Sequence, residues 1–134
     1  MHIERREFIV MAGAAAVTTV SAANVLSEEN QKMYGLIGKM TTVAGKRDEL
    51  ISILLGGVGG MPGCLSYVVA KDPADANAIW ITEVWDSEQS HKASLSLPAV
   101  KQAITRGKPL IVGFSNSTVT EPVGGHGLAP TKNR

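Results

Sequence analysis

The chain has one cysteine, few aromatic side chains and almost no net charge, and each scarcity excludes a class of protein. A lone Cys64 can form neither an intrachain disulfide nor a cysteine-rich metal site, and its expected role is that of a small buried apolar residue. No His, Asp, Glu and Cys residues cluster at metal-ligand spacing, so no metal site is expected. With 13 basic and 12 acidic residues the formal net charge is +1, which offers no polycationic surface and no reason to expect a nucleic-acid partner. Disorder is equally disfavoured, because 44% of the residues are apolar. Aromatic residues make up only 4% of the chain, so it is notable that both tryptophans fall between Trp80 and Trp85. At 134 residues the chain is long enough for one domain with a real core.

The first segment reads as an export signal. Arg5-Arg6-Glu7-Phe8-Ile9 resembles a twin-arginine pattern. The apolar stretch from Ile9 to Val20 is too short for a comfortable membrane span, and Ser21-Ala22-Ala23 supplies the small residues a signal peptidase needs. The expectation is removal of residues 1–23, a periplasmic or exported location, and no stable membrane insertion afterwards. The alternative is an N-terminal helix packed on the domain, or an uncleaved anchor. Residues 24–32 are polar and read as a linker.

The domain, expected over residues 33–121, alternates strand and helix patterns. Tyr34 to Thr42 reads as a strand with Tyr34, Leu36, Gly38 and Met40 on one face, opposite Ile37 and Lys39. A helix opens within Ala44–Glu49, with Leu50, Ile51, Leu54 and Val58 as its buried stripe. The glycine-rich run from Gly56 to Gly63 follows a helix rather than a strand and lacks a closing Gly-Lys-Ser/Thr. It therefore reads as a turn with left-handed glycines, not a phosphate cradle. Cys64 to Lys71 is a second strand, and Asp72–Asn77 a hairpin loop. Ile79 to Trp85 is apolar and β-branched on both faces, with Ile79, Ile81, Glu83 and Trp85 on one side and Trp80, Thr82 and Val84 on the other. Asp86 or Ser87 caps the next helix, Gln89 stands in the capping-box position to Asp86, and His91 lies just over one turn inside. Leu97-Pro98 breaks that helix, and Pro98 starts another whose buried face carries Val100, Ala103 and Ile104. Leu110 to Val119 is the last strand, and residues 122–134 read as an arm or disordered tail.

The order β-α-β-β-α-β is that of the ferredoxin-like split unit, an α+β fold with both helical segments on one face of a four-stranded antiparallel sheet. The other face would expose Trp80 and Val84, so a homodimer packed sheet against sheet is expected.

Four segments resemble the antibiotic biosynthesis monooxygenase family of dimeric α+β barrels, including its quinol monooxygenase-like members. They are Met61-Pro62-Gly63-Cys64-Leu65-Ser66-Tyr67, Glu83-Val84-Trp85 followed by His91, Lys108-Pro109-Leu110, and the Pro122–Leu128 tail. The resemblance implies cofactor-independent oxygenation of a small aromatic substrate, a quinol or polyphenol, by dioxygen. Haem-degrading relatives use an asparagine on the first strand and a histidine late in the second helical segment. The positions similar to these are Gly38 and Lys101, which speaks against haem degradation.

Glu83, the one charge in the third strand, and His91 make a candidate catalytic acid–base pair. Trp85, Tyr67 and Asn116 are the candidate substrate-binding residues. Each has a plain structural alternative: His91 packing the helix against the sheet, the tryptophans as core, Tyr67 and Asn116 as strand residues. His126 either reaches across a dimer or lies in solvent, the second being favoured. Two readings of function stay open, a small oxygenase and a non-catalytic dimeric barrel that binds a small apolar ligand.

Overall fold

A computed structural model describes residues 32–130, and the expected signal at 1–23 and most of the linker at 24–32 lie outside that range. Strands β1 (Tyr34–Thr42), β2 (Cys64–Lys71), β3 (Ala78–Trp85) and β4 (Ile111–Thr120) form one sheet in the order β2-β3-β1-β4, with every neighbouring pair antiparallel. Helices α1 (Arg47–Gly57), α2 (Glu88–Ser94) and α3 (Pro98–Gly107) and a 3-10 turn at Lys108–Leu110 complete the ferredoxin-like α+β fold expected from the sequence.

The pleat of β3 separates the two sides of the sheet. Ile79, Ile81, Glu83 and Trp85 are buried beneath the helices, whereas Thr82 is exposed and Trp80 and Val84 are half-buried on the face without helices. A core of Met40, Leu50, Leu54, Ile79, Ile81 and Ile111 fills one end of the helix side. A second cluster of Tyr34, Leu36, Met61 and Trp85 fills the other. Removing such apolar surface from water contributes about 25 cal/mol per Å2, and this drives both clusters.

The stripe of α1 differs from the expected one. Leu50, Ile53, Leu54 and Gly57 are buried, while Ile51 and Val58 are only half-buried. The helix starts at Arg47, within the expected range, after a turn in which Lys46 N–H donates to the Val43 carbonyl. It also turns toward α3, which approaches so closely that a Cβ at Gly57 would stand 2.9 Å from that of Ala103. Arg47 fixes the β2–β3 hairpin: its Nη1 donates to the carbonyls of Asp72, Asp75 and Ala78 at 3.4, 2.9 and 3.4 Å.

The glycine-rich run is the turn expected. Gly60 and Gly63 take φ of +73° and +84°, and a Cβ at Gly63 would collide with Ser90. That close approach seats β2 against α2, and Asp86 N–H donates to the Gly63 carbonyl at 2.8 Å. Ser87 is the N-cap of α2, its hydroxyl accepting from Ser90 N–H at 3.1 Å. Asp86 binds the Ser90 hydroxyl instead of forming a capping box with Gln89.

Leu110 belongs to the 3-10 turn, and β4 begins at Ile111. The tail, read from sequence as an arm or disordered, runs back over the sheet. Pro122 lies against Gly35 on the helix-free face, and Ala129 N–H donates to the Leu65 carbonyl at 3.0 Å. His126 is exposed.

Candidate active site

Between the helices and the sheet lies a cavity of about 90 Å3. A water occupies on the order of 10–15 Å3 by the same measure, so the space suits several waters or one small ring compound. Its walls are mostly aliphatic, from Met40, Leu54, Val58 and Met61 on one side to Val100 and Ile104 on the other. This explains why Val100, Ala103 and Ile104, the apolar face of α3, are only half-buried: they face the cavity rather than solid core. Glu83, Tyr67, Ser94 and His91 supply the polar atoms.

The sheet register places Glu83 among apolar neighbours. It stands opposite Leu36 on β1 and Tyr67 on β2, and Trp85 follows two residues later on the same face. The Trp85 indole donates to Glu83 Oε1 at 2.8 Å. One such bond does not offset the loss of water, and burial pushes the Glu83 carboxyl up to about 7.

His91 comes from α2, one turn past its cap, and is 5% exposed. Its ring stands edge-on to Trp85 at 5.3 Å and tilted over Tyr34 at 5.5 Å. Nε2 lies 3.9 Å from Glu83 Oε1, longer than a direct hydrogen bond. Burial lowers the imidazole pKa to about 4, so His91 is neutral at physiological pH. Ser94, one turn further, donates its hydroxyl to the His91 carbonyl at 2.6 Å and turns its side of the helix to the cavity.

Four of the five candidates from the sequence, Glu83, His91, Trp85 and Tyr67, line this one cavity. Burial holds the Tyr67 phenol well above its usual pKa, so it stays protonated as a donor. Asn116 lies elsewhere: it is exposed, with φ of +54°, at the bulge in β4 between the pairings of Ile37 and Lys39. It does not line the cavity. Cys64 is half-buried and its thiol pKa is raised, chiefly by burial, which suits a packing role. Ser94 on the cavity wall and Tyr34 against the His91 ring stand outside those five candidates. Ser94 was legible in principle, since it follows His91 at helical spacing. Among the described residues no three His, Cys, Asp or Glu side chains converge as metal ligands would.

The family model for antibiotic biosynthesis monooxygenase matches residues 33–106. The chain belongs to that family. A crystal structure from Chloroflexus aurantiacus, described as a candidate antibiotic biosynthesis monooxygenase, is 64% identical, with 72% of this chain and 99% of that one covered and a TM-score of 0.71. A Caulobacter crescentus protein described in the same way is 18% identical, covering 75% of this chain and 99% of its own, with a TM-score of 0.64. A Pseudomonas aeruginosa structure at 17% identity covers 69% and 96%, with a TM-score of 0.61. The last two share the fold. No curated protein matches the sequence.

Proposed function

We propose that this protein is an oxygenase that converts an electron-rich phenol or hydroquinone into a quinone with dioxygen as oxidant. The observation that carries the reading is the convergence of Glu83 and His91 on one small, mostly aliphatic cavity. A phenol has a pKa of about 10, so at neutral pH it holds its proton and resists oxidation. Removing the proton gives a phenolate, which passes an electron to dioxygen far more readily. A phenol with a free ring position and one dioxygen balance as one quinone and one water, with no external reductant. The base is the pair. Glu83, held up to about 7, is matched to neutral pH, and neutral His91 can take the phenolic proton and share it with that carboxylate. Tyr67 and Trp85 would flank the ring, and the aliphatic wall keeps water from the radical or anion.

The working unit is a homodimer closed over the helix-free face, and the protein acts outside the cytoplasm. The support for export is the Arg5-Arg6 pair and the small residues at Ser21–Ala23. Protein recovered from the periplasm should have the mass of a chain lacking residues 1–23; an intact N-terminus there would remove the export claim.

An oxygen electrode tests the activity on metal-stripped protein with a panel of hydroquinones and polyphenols. Uptake should occur without added flavin, haem or metal, and Glu83→Gln or His91→Ala should lower it by about 10²–10⁴-fold, the usual contribution of a positioned base. No uptake with any substrate, or full activity in both variants, would favour the non-catalytic ligand-binding barrel.

A further inference from the structure

His91 presents Nε2 to Glu83, and this leaves Nδ1 facing away from the carboxylate. Nδ1 is buried and has no hydrogen-bond partner among the described residues. Two other buried polar atoms share that condition and that neighbourhood, the Tyr34 hydroxyl and Glu88 Oε2. Tyr34 lies on β1 with its ring 5.5 Å from that of His91. Glu88 precedes His91 by three residues in α2, so both project from the same side of the helix. The Glu88 charge also reaches the phenol: after burial, it is the largest influence holding Tyr34 up at about 12. Left unbonded, each of these three buried polar atoms would cost free energy. Buried polar groups so placed are joined through ordered water.

We propose that Tyr34 and Glu88 are positioning residues for His91, joined to Nδ1 by a short hydrogen-bonded chain closed by water. The chain has one direct consequence. Glu88 accepts, the Tyr34 hydroxyl can relay, and neutral His91 therefore carries its proton on Nδ1. Nε2 is left with its lone pair turned to the cavity, the form that can accept a phenolic proton. When Nε2 takes that proton, the proton on Nδ1 can pass along the chain to Glu88. Glu88 is half-buried rather than sealed, so the proton has an exit that avoids the cavity. Four titratable groups surround the imidazole or line the cavity beside it: Tyr34 from β1, Tyr67 from β2, Glu83 from β3 and Glu88 from α2. Tyr34 and Tyr67 stay protonated, so the choice of tautomer lies between the two carboxyl groups.

The role in turnover rests on the proposed oxygenase chemistry, but the tautomer can be read without it. Nitrogen-15 NMR of the labelled full chain reports which imidazole nitrogen is protonated, and with three histidines in the sequence the His91 signal is assigned by comparison with His91→Gln. The expected result at pH 7 is an Nδ1-protonated ring, moving toward the Nε2-protonated form in Glu88→Gln and in Tyr34→Phe. Oxygen uptake in Glu88→Gln should fall about tenfold in kcat with KM unchanged, and Glu88→Asp should restore part of it. Glu88→Gln keeps the side-chain volume at a half-buried position, so it stays informative if Tyr34→Phe fails to fold. An Nε2-protonated ring in the unaltered protein, or a tautomer unmoved by Glu88→Gln, would overturn the proposal. The expected tautomer together with no oxygen uptake in any variant would instead remove the oxygenase reading and leave the positioning intact.

Discussion

The two faces of the sheet are made by the same strands, yet one carries the candidate site and the other a row of aliphatic and hydroxyl side chains. On the helix side β3 presents Ile79, Ile81, Glu83 and Trp85, all buried, and the helices leave a cavity at the one carboxylate. On the opposite side the row Val68, Thr82, Ile37 and Thr118 runs across all four strands, alternating aliphatic and hydroxyl side chains. The two tryptophans express the contrast. The Trp85 indole donates to the buried Glu83, whereas the Trp80 indole donates to Asp72 at 3.0 Å, with Lys39 lying 5.7 Å above its ring and 3.4 Å from the same carboxylate. Desolvation sets the first pairing apart, because a buried carboxyl shifts toward neutrality. Solvent near the second leaves Asp72 ionised, with its pKa lowered by hydrogen bonds from Ala74 N–H and the Trp80 indole.

Truncating the two tryptophans should break the comparison most forcefully. Trp85 is 1% exposed, so Trp85→Ala should cost about 3–5 kcal/mol, the usual range for a core aromatic, and it also strips Glu83 of its donor. Trp80→Ala should cost less, about 1–2 kcal/mol at a fixed protein concentration, since the side chain is half-buried in one chain. Its cost should grow on dilution if this face closes a dimer, because dissociation then competes with folding. Urea titrations at two concentrations measure both, and Val84→Asp on the same face should move the sedimentation coefficient from dimer to monomer. Equal, concentration-independent losses for the two tryptophans would erase the distinction.

The next effect sets the two groups of the site against each other. Burial raises Glu83 from 4.5 to about 7, so its proton is held more tightly in the folded state. That contribution to stability is complete below pH 4.5 and is lost as pH rises toward 7. Burial lowers His91 from 6.5 to about 4, so its contribution has the opposite sign: stability is lost as pH falls from 6.5 toward 4. Between pH 4.5 and 6.5 the unfolded chain holds one proton on His91 and the folded chain one on Glu83. The two therefore bind equal numbers of protons, and the pair gives no slope. Removing one partner reveals the other. Glu83→Gln should gain stability as pH rises through this window, and His91→Gln should lose it, each by about 1.4 kcal/mol per pH unit at most. Parallel slopes in the two variants would show that the groups do not sit in the states described.

Much of this site was legible because it lies on regular structure. Strand alternation put Glu83 and Trp85 on one face, and a capped helix starting at Ser87 brings His91 back over them. The order of strands and helices along the chain was legible for the same reason, and the family from four short motifs. What periodicity could not supply was contact between elements. The α1 stripe moved because α3 packs against Gly57, a packing term no single-helix pattern contains. Tyr34 reads from sequence as a strand residue, and only the fold brings its ring within 5.5 Å of a histidine 57 positions later. The tail's return to Leu65 rests on one backbone bond that has no side-chain signature.

Asn116 gives the smallest effect and the sharpest check on where the site ends. Its φ of +54° is in the left-handed region, which asparagine tolerates better than most residues because its short amide can bond locally. A β-branched residue there meets its own backbone, so Asn116→Val should cost about 1–2 kcal/mol. Glycine adopts the same angle without strain, and Asn116→Gly should stay within about 0.5 kcal/mol of the parent. Because the side chain is exposed at the β4 bulge and does not line the cavity, neither variant should change kcat/KM in the oxygen assay by more than about twofold. Thermal denaturation and uptake measured on the same preparations separate the two properties. A loss of activity in Asn116→Gly with stability unchanged would return Asn116 to the site.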